Sequence, residues 1–104
     1  NMIINLLSHE IKLLQDGKVR NYPSNGIVRL SEVIMPAGEW DGIQLVQKHY
    51  GTAEKLPPPQ DGVLIIVPSV VRLAYPNRAD LASPGQRMAD DEGNIVLLNL
   101  IVNQ

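Results

Sequence analysis

Val63-Leu64-Ile65-Ile66-Val67 is the stretch that most limits how this chain can fold. Five aliphatic residues stand in a row, four of them β-branched, entered through Asp61-Gly62 and stopped by Pro68. β-branched side chains favour extended backbone, and an unbroken apolar run between turn residues is the pattern of a strand covered on both faces. The run predicts the central strand of the fold. Polar residues come directly after it: Ser69, Arg72, Asn77, Arg78 and Asp80, on a short helix and a proline-rich loop at the edge of the most rigid element.

The rest of the chain supports a β-rich reading. Hydrophobic residues make up 44% of 104, yet there is no Phe, one Trp and three Tyr, so burial rests on Val, Ile and Leu. Eight Gly and eight Pro mark many turns and leave little room for long helices. Met2 to Leu7 reads as an opening strand. Glu10 to Leu14 and Lys18 to Tyr22 flank Asp16-Gly17, the dipeptide favoured in a two-residue type I′ hairpin turn. That turn sets Leu14 opposite Val19, Leu13 opposite Arg20 and Ile11 opposite Tyr22. Ile27 to Met35 alternates, with Val28, Leu30 and Ile34 on one face and Glu32 interrupting it, the mark of a bend or bulge.

Pro36 to Gly42 reads as a loop carrying Trp40, Ile43 to His49 as a further strand, and Tyr50 to Gln60 as a proline-rich connection. Ser69 is placed to cap a helix over Val70 to Tyr75, with Arg72 outward and Pro76 ending it. Asn77 to Gly85 reads as an ordered loop, Gln86 to Met88 as a short strand and Asp90 to Gly93 as a hairpin turn. Ile95 to Val102 is apolar on both faces apart from Asn99 and predicts a strand that is paired centrally or buried against another subunit. The expected fold is α+β, mainly antiparallel β, a small barrel or sandwich of about seven to eight strands with one short helix near 69–75. It forms a single domain over residues 1–104, with Asn1 read as a tag remnant.

Charge and composition narrow the function classes. Nine basic and eleven acidic residues give a formal charge of −2 without a basic cluster, which disfavours nucleic acid as a partner. The absence of cysteine excludes disulfides, thiolate metal sites and cysteine nucleophiles. No apolar run approaches a bilayer span and no signal-peptide pattern opens the chain, so a cytoplasmic protein without a membrane partner is expected.

Ile4-Asn5-Leu6 with Ser8-His9, Pro23-Ser24-Asn25-Gly26 before Val28-Arg29, and Leu56-Pro57 with Gly62 form an ordered series. Arg78-Ala79-Asp80-Leu81, Pro84-Gly85, Arg87 and Asp91-Glu92-Gly93 complete it. This series resembles a group of small uncharacterised bacterial and phage-borne proteins. The resemblance covers most of the chain and implies a phage, prophage or mobile-element setting, with no established activity attached. The group tends to have Pro before the early His, where this chain has Ser8.

Few residues here carry chemistry by type and spacing. His9 and His49 are 40 positions apart, neither has an i, i+4 partner, and no metal is expected. His9 is the one candidate general base, with a structural role in its turn as the plainer reading. Ser8-His9-Glu10 is no triad, because neighbouring side chains on extended backbone point to opposite faces.

Arg72, Asn77, Arg78, Asp80 and Arg87 form the candidate ligand-binding set: guanidiniums hold phosphate or carboxylate through paired hydrogen bonds. The plainer reading is an Arg78–Asp80 or Arg87–Asp90 ion pair that pins the loop. These observations favour a non-enzymatic binding module, without cofactor, that forms a homo-oligomer and engages a host protein or a small anionic, nucleotide-like ligand. The alternatives are a small hydrolase using His9 and a structural subunit of a larger particle.

Overall fold

The Val63–Val67 run is the centre of the molecule. In the computed structural model, which describes residues 1–104, ten strands and one helix follow one another. They are β1 (Met2–Asn5), β2 (Ile11–Gln15), β3 (Lys18–Tyr22), β4 (Arg29–Trp40), β5 (Ile43–Glu54), β6 (Val63–Ile66), α1 (Ser69–Ala74), β7 (Leu81–Pro84), β8 (Arg87–Ala89), β9 (Ile95–Leu97) and β10 (Leu100–Val102). Two four-stranded sheets have the orders β1-β6-β7-β10 and β3-β2-β9-β8, and β4 with β5 forms a separate two-stranded ribbon.

β6 lies inside the first sheet, and its side chains alternate between two cores. Ile65, with Val67 just beyond the strand, packs with Leu6, Val28, Val71 and Leu81 on one side. Ile66 points the other way, into Leu7 of the β1–β2 turn and Ile11, Leu13 and Leu97 of the second sheet. The unbroken apolar run follows from this position, because a strand with a core on each face has no solvent side to make polar.

The β-rich expectation holds, with strands over 53% of the residues and one short helix. The pairing is mixed rather than mainly antiparallel: β1 runs parallel to β6, β6 to β7 and β2 to β9. The sheets do not close into a barrel. The hairpin at Asp16-Gly17 has the expected register, with both turn residues at positive φ (51° and 74°). The Asp90–Gly93 turn also forms, and Asp90 Oδ1 accepts from the backbone N–H groups of Glu92 and Asn94.

Three local readings are corrected. The 95–102 segment is two strands in two different sheets, and the break falls on Asn99. Its Oδ1 accepts from the N–H of Gln86, its Nδ2 donates to Gln86 Oε1, and its carbonyl accepts from the N–H of Gly85. Gly85-Gln86 and Leu98-Asn99 therefore cross between the sheets side by side. Second, Leu81–Pro84 is not loop but a buried strand, covered by β6 and β10. Third, Ser69 is not the helix cap: Pro68 occupies that position and no side chain caps the end.

The largest correction concerns residues 36–54. Pro36 to Trp40 continues β4, and β5 runs on to Glu54, so the two strands make one ribbon of twelve-residue strands turned by Asp41-Gly42. Both turn residues are again at positive φ (50° and 80°), the type I′ requirement. Pro36 is tolerated because each strand of an isolated ribbon has a free edge that needs no N–H. A bulge lies between Leu30 and Glu32, where Glu32 was expected to disturb the strand, and a second between Pro36 and Glu39.

Candidate functional site

The predicted Arg/Asn/Asp group divides. Arg78 Nε donates to Asp80 Oδ1 and Nη2 to Asp80 Oδ2, both at 2.8 Å, and Nη2 also donates to the Pro57 carbonyl at 2.9 Å. This fork pins the proline-rich connection to the loop before β7. The hydrogen bonds from Arg78 hold the Asp80 carboxyl below its ordinary range, and Asp80 raises Arg78 in turn. Arg72 points inward rather than outward: Nε donates to Ser83 Oγ at 2.8 Å and Nη1 to Asn103 Oδ1 at 3.1 Å. Asn103 Nδ2 donates in return to the carbonyls of Arg72, Tyr75 and Arg78, so the end of the chain closes the end of the helix. Asn77 is exposed in the turn beyond α1.

Arg87 stands apart from these four, and it shares a cleft with His9. The cleft has a volume of about 540 Å³ between the start of β2, the start of α1 and the β8–β9 pair. Its polar walls include His9, Glu10, Lys12, Ser69 and Arg87 over an apolar floor of Ile11 and Leu97. His9 Nδ1 lies 3.0 Å from the Glu10 carbonyl. A carbonyl only accepts, so Nδ1 is the donor in this contact. Lys12 is 3.7 Å from Glu10 and donates to Asn21, which leaves Arg87 as the cleft's guanidinium without an ion-pair partner. No group of three or more His, Asp or Glu side chains gathers as metal ligands.

The His9 turn is built by Asn5, whose role the sequence reading missed. Asn5 is fully buried at the end of β1. Its Nδ2 donates to the carbonyls of His9 and Tyr22, its Oδ1 accepts from the Leu7 N–H, and its N–H donates to Asn25 Oδ1. The signal was an amide in an otherwise aliphatic strand.

The second feature is the β4–β5 ribbon, which projects as an arm from a molecule measuring 51 × 36 × 24 Å. Its root is fixed: Leu30 and Ala53 pack on the first core, and Tyr75 Oη accepts from the Ala53 N–H at 2.8 Å. Beyond the root every side chain from 31 to 52 is exposed. The register assigns two faces. Glu32, Ile34, Val46, Lys48 and Tyr50 share one, where Lys48 pairs with Glu32 at 3.7 Å. Val33, Met35, Leu45, Ile43 and Trp40 share the other, and Trp40 is 66% exposed at the far end. The sequence signal was Asp41-Gly42 between alternating apolar segments, obscured by Pro36 and Gly38.

No helix is long and apolar enough to cross a membrane. Comparison with protein-family models, curated proteins and solved structures finds no match to this chain.

Proposed function

We propose that the chain is a non-enzymatic protein-binding module whose working element is the β4–β5 arm. The observation that carries this reading is the exposure of eight large apolar side chains on one projecting ribbon: Val33, Ile34, Met35, Trp40, Ile43, Leu45, Val46 and Tyr50. Contiguous apolar patches of more than a few hundred Å² on a monomer mark interaction sites. A two-stranded hairpin is also marginal in water by itself, so burial against a partner supplies what the arm lacks. In the phage or prophage setting suggested by the resemblance, the module serves as a subunit of a larger assembly or engages a host protein.

The arm can be removed at its own register. Leu30 pairs with Ala53, so an Asn-Gly turn in place of residues 31–52 closes a short hairpin on the intact root. This arm-less variant should keep the melting behaviour of the body, and native mass spectrometry of gently purified material should show protein complexes for the full chain and none for the variant. Complexes of unchanged mass after arm removal overturn the reading.

A second reading, a small anionic ligand in the cleft, rests on Arg87 and His9 facing one cavity. Titration calorimetry with a nucleoside monophosphate tests it: binding abolished by Arg87→Ala supports the reading, and the absence of heat removes it. Turnover lost on His9→Ala is the added requirement of the hydrolase alternative.

A further inference from the structure

We infer that the partner of the arm is the arm of a second copy of this chain, packed antiparallel across a twofold axis through the Val33/Met35/Leu45 face. The inference rests on the arm being a protein-binding element and names its partner. Three observations carry it.

The first is the difference between the two faces. One carries the Glu32–Lys48 ion pair in its middle, and burying that pair would strip water from two charges for little return. The other presents Val33, Met35, Leu45, Ile43 and Trp40 with only Gln47 and His49 among them. That face is the one suited to losing water.

The second is area. Those five side chains are each between 42% and 66% exposed, which amounts to roughly 500 Å² of apolar surface per arm and about 1,000 Å² for two arms face to face, at the lower end of specific interfaces.

The third is the charge along the arm. The tip carries Asp41 at the turn and Glu39 on the reverse face beside Gln44, with no cation, while the root carries Arg29, set across the ribbon from Glu54, and Lys55 just beyond β5, so the tip is net negative and the root net positive. Antiparallel packing lays each acidic tip on the other copy's basic root, twice per dimer. Parallel packing would set acid on acid. A twofold contact of this kind is closed and self-complementary, so it stops at two copies.

Sedimentation velocity on the full chain is the first test. A dimer is expected, and a monomer at about 100 µM overturns the inference. Met35→Asp with Leu45→Asp should weaken dimerisation at least a hundredfold without harming the monomer's fold, because both side chains are exposed in the single chain.

Charge exchange tests the geometry itself. Asp41 and Lys55 have positive φ, so both are replaced by Asn, which tolerates it. The tip variant Glu39→Lys/Asp41→Asn has a positive tip and root, and the root variant Arg29→Glu/Lys55→Asn a negative tip and root. Each should self-associate at least tenfold more weakly at low salt, and the two should form a mixed dimer when combined. Self-association that is unchanged in both variants overturns the antiparallel arrangement. A monomeric chain whose arm is still required for complexes with another protein overturns self-pairing while the protein-binding reading survives. Complexes indifferent to the arm overturn both.

Discussion

Asn5 donates from Nδ2 to the carbonyl of His9 at 3.0 Å, across the turn that joins β1 to β2. The same amide holds Tyr22 and Leu7, so one buried side chain fixes the end of β1, the His9 corner and the exit of β3. Asn5→Ala leaves two carbonyls and one N–H without partners. At about 1–1.5 kcal/mol each, the expected loss is roughly 3–4 kcal/mol in urea unfolding. Asn5→Asp should not rescue it, because a carboxylate facing two carbonyls supplies no donor. Recovery of wild-type stability in the Asp variant would refute this account of the site.

The distribution of what could be read from the chain has a physical cause. The β6 run and the Asp16-Gly17 hairpin were legible because each is determined locally, by side-chain branching and by positive φ at two adjacent positions. Leu81–Pro84 was opaque because its strand character comes from β6 and β10 on either side, not from its own sequence. The arm was missed because Pro36 and Gly38 read as loop residues, and only an isolated ribbon with free edges accommodates them within a strand. At the candidate site the residue types were visible but their convergence was not. Arg78 with Asp80 is a local pair, whereas Arg87 shares a cleft with His9 only because β2 and β8, far apart in the chain, flank β9 in the second sheet.

Gly85 is required by a close approach and not by its backbone angles. A Cβ there would collide with Asn99 Oδ1 and lie 2.7 Å from the Asn99 carbonyl oxygen, which is backbone and cannot swing aside. Gly85→Ala should cost about 2–3 kcal/mol, of the size of other overpacking changes. Adding Asn99→Ala removes the side-chain clash together with the two hydrogen bonds to Gln86, so the double variant should remain less stable than Asn99→Ala alone in thermal melts. Equal stability of those two variants would show that the backbone contact does not matter.

The Arg78–Asp80 fork gives stability a defined pH dependence. Asp80 titrates below its unfolded value of about 3.9, so its contribution is complete above roughly pH 5 and is lost as pH falls through the depressed folded value. Arg78 remains charged throughout that range. Asp80→Asn should destabilise by about 2 kcal/mol at pH 7 and flatten the decline in urea midpoint between pH 5 and pH 2. Some decline should persist, because Asp90 is also held low by the backbone N–H groups of its turn. An Asn variant with an unchanged pH slope would exclude Asp80 as a source of the acid sensitivity.

Two aromatic residues separate the arm's anchorage from its contact surface. Tyr75 Oη accepts the Ala53 N–H at the root, so Tyr75→Phe leaves that donor unpaired and should cost about 1–2 kcal/mol of folding stability. Trp40 lies at the far end of the arm and touches no core, so Trp40→Ala should leave monomer stability within about 0.5 kcal/mol. Association should respond in the opposite order of severity. Trp40 is the largest side chain on the apolar face, and its removal should weaken complex formation at least tenfold, whereas Tyr75→Phe keeps that face intact and only loosens how it is aimed. Thermal melts of the monomer and sedimentation of both variants give the comparison. A Trp40→Ala protein that melts early but associates normally would mean that this residue supports the fold and that the arm's contact surface lies elsewhere.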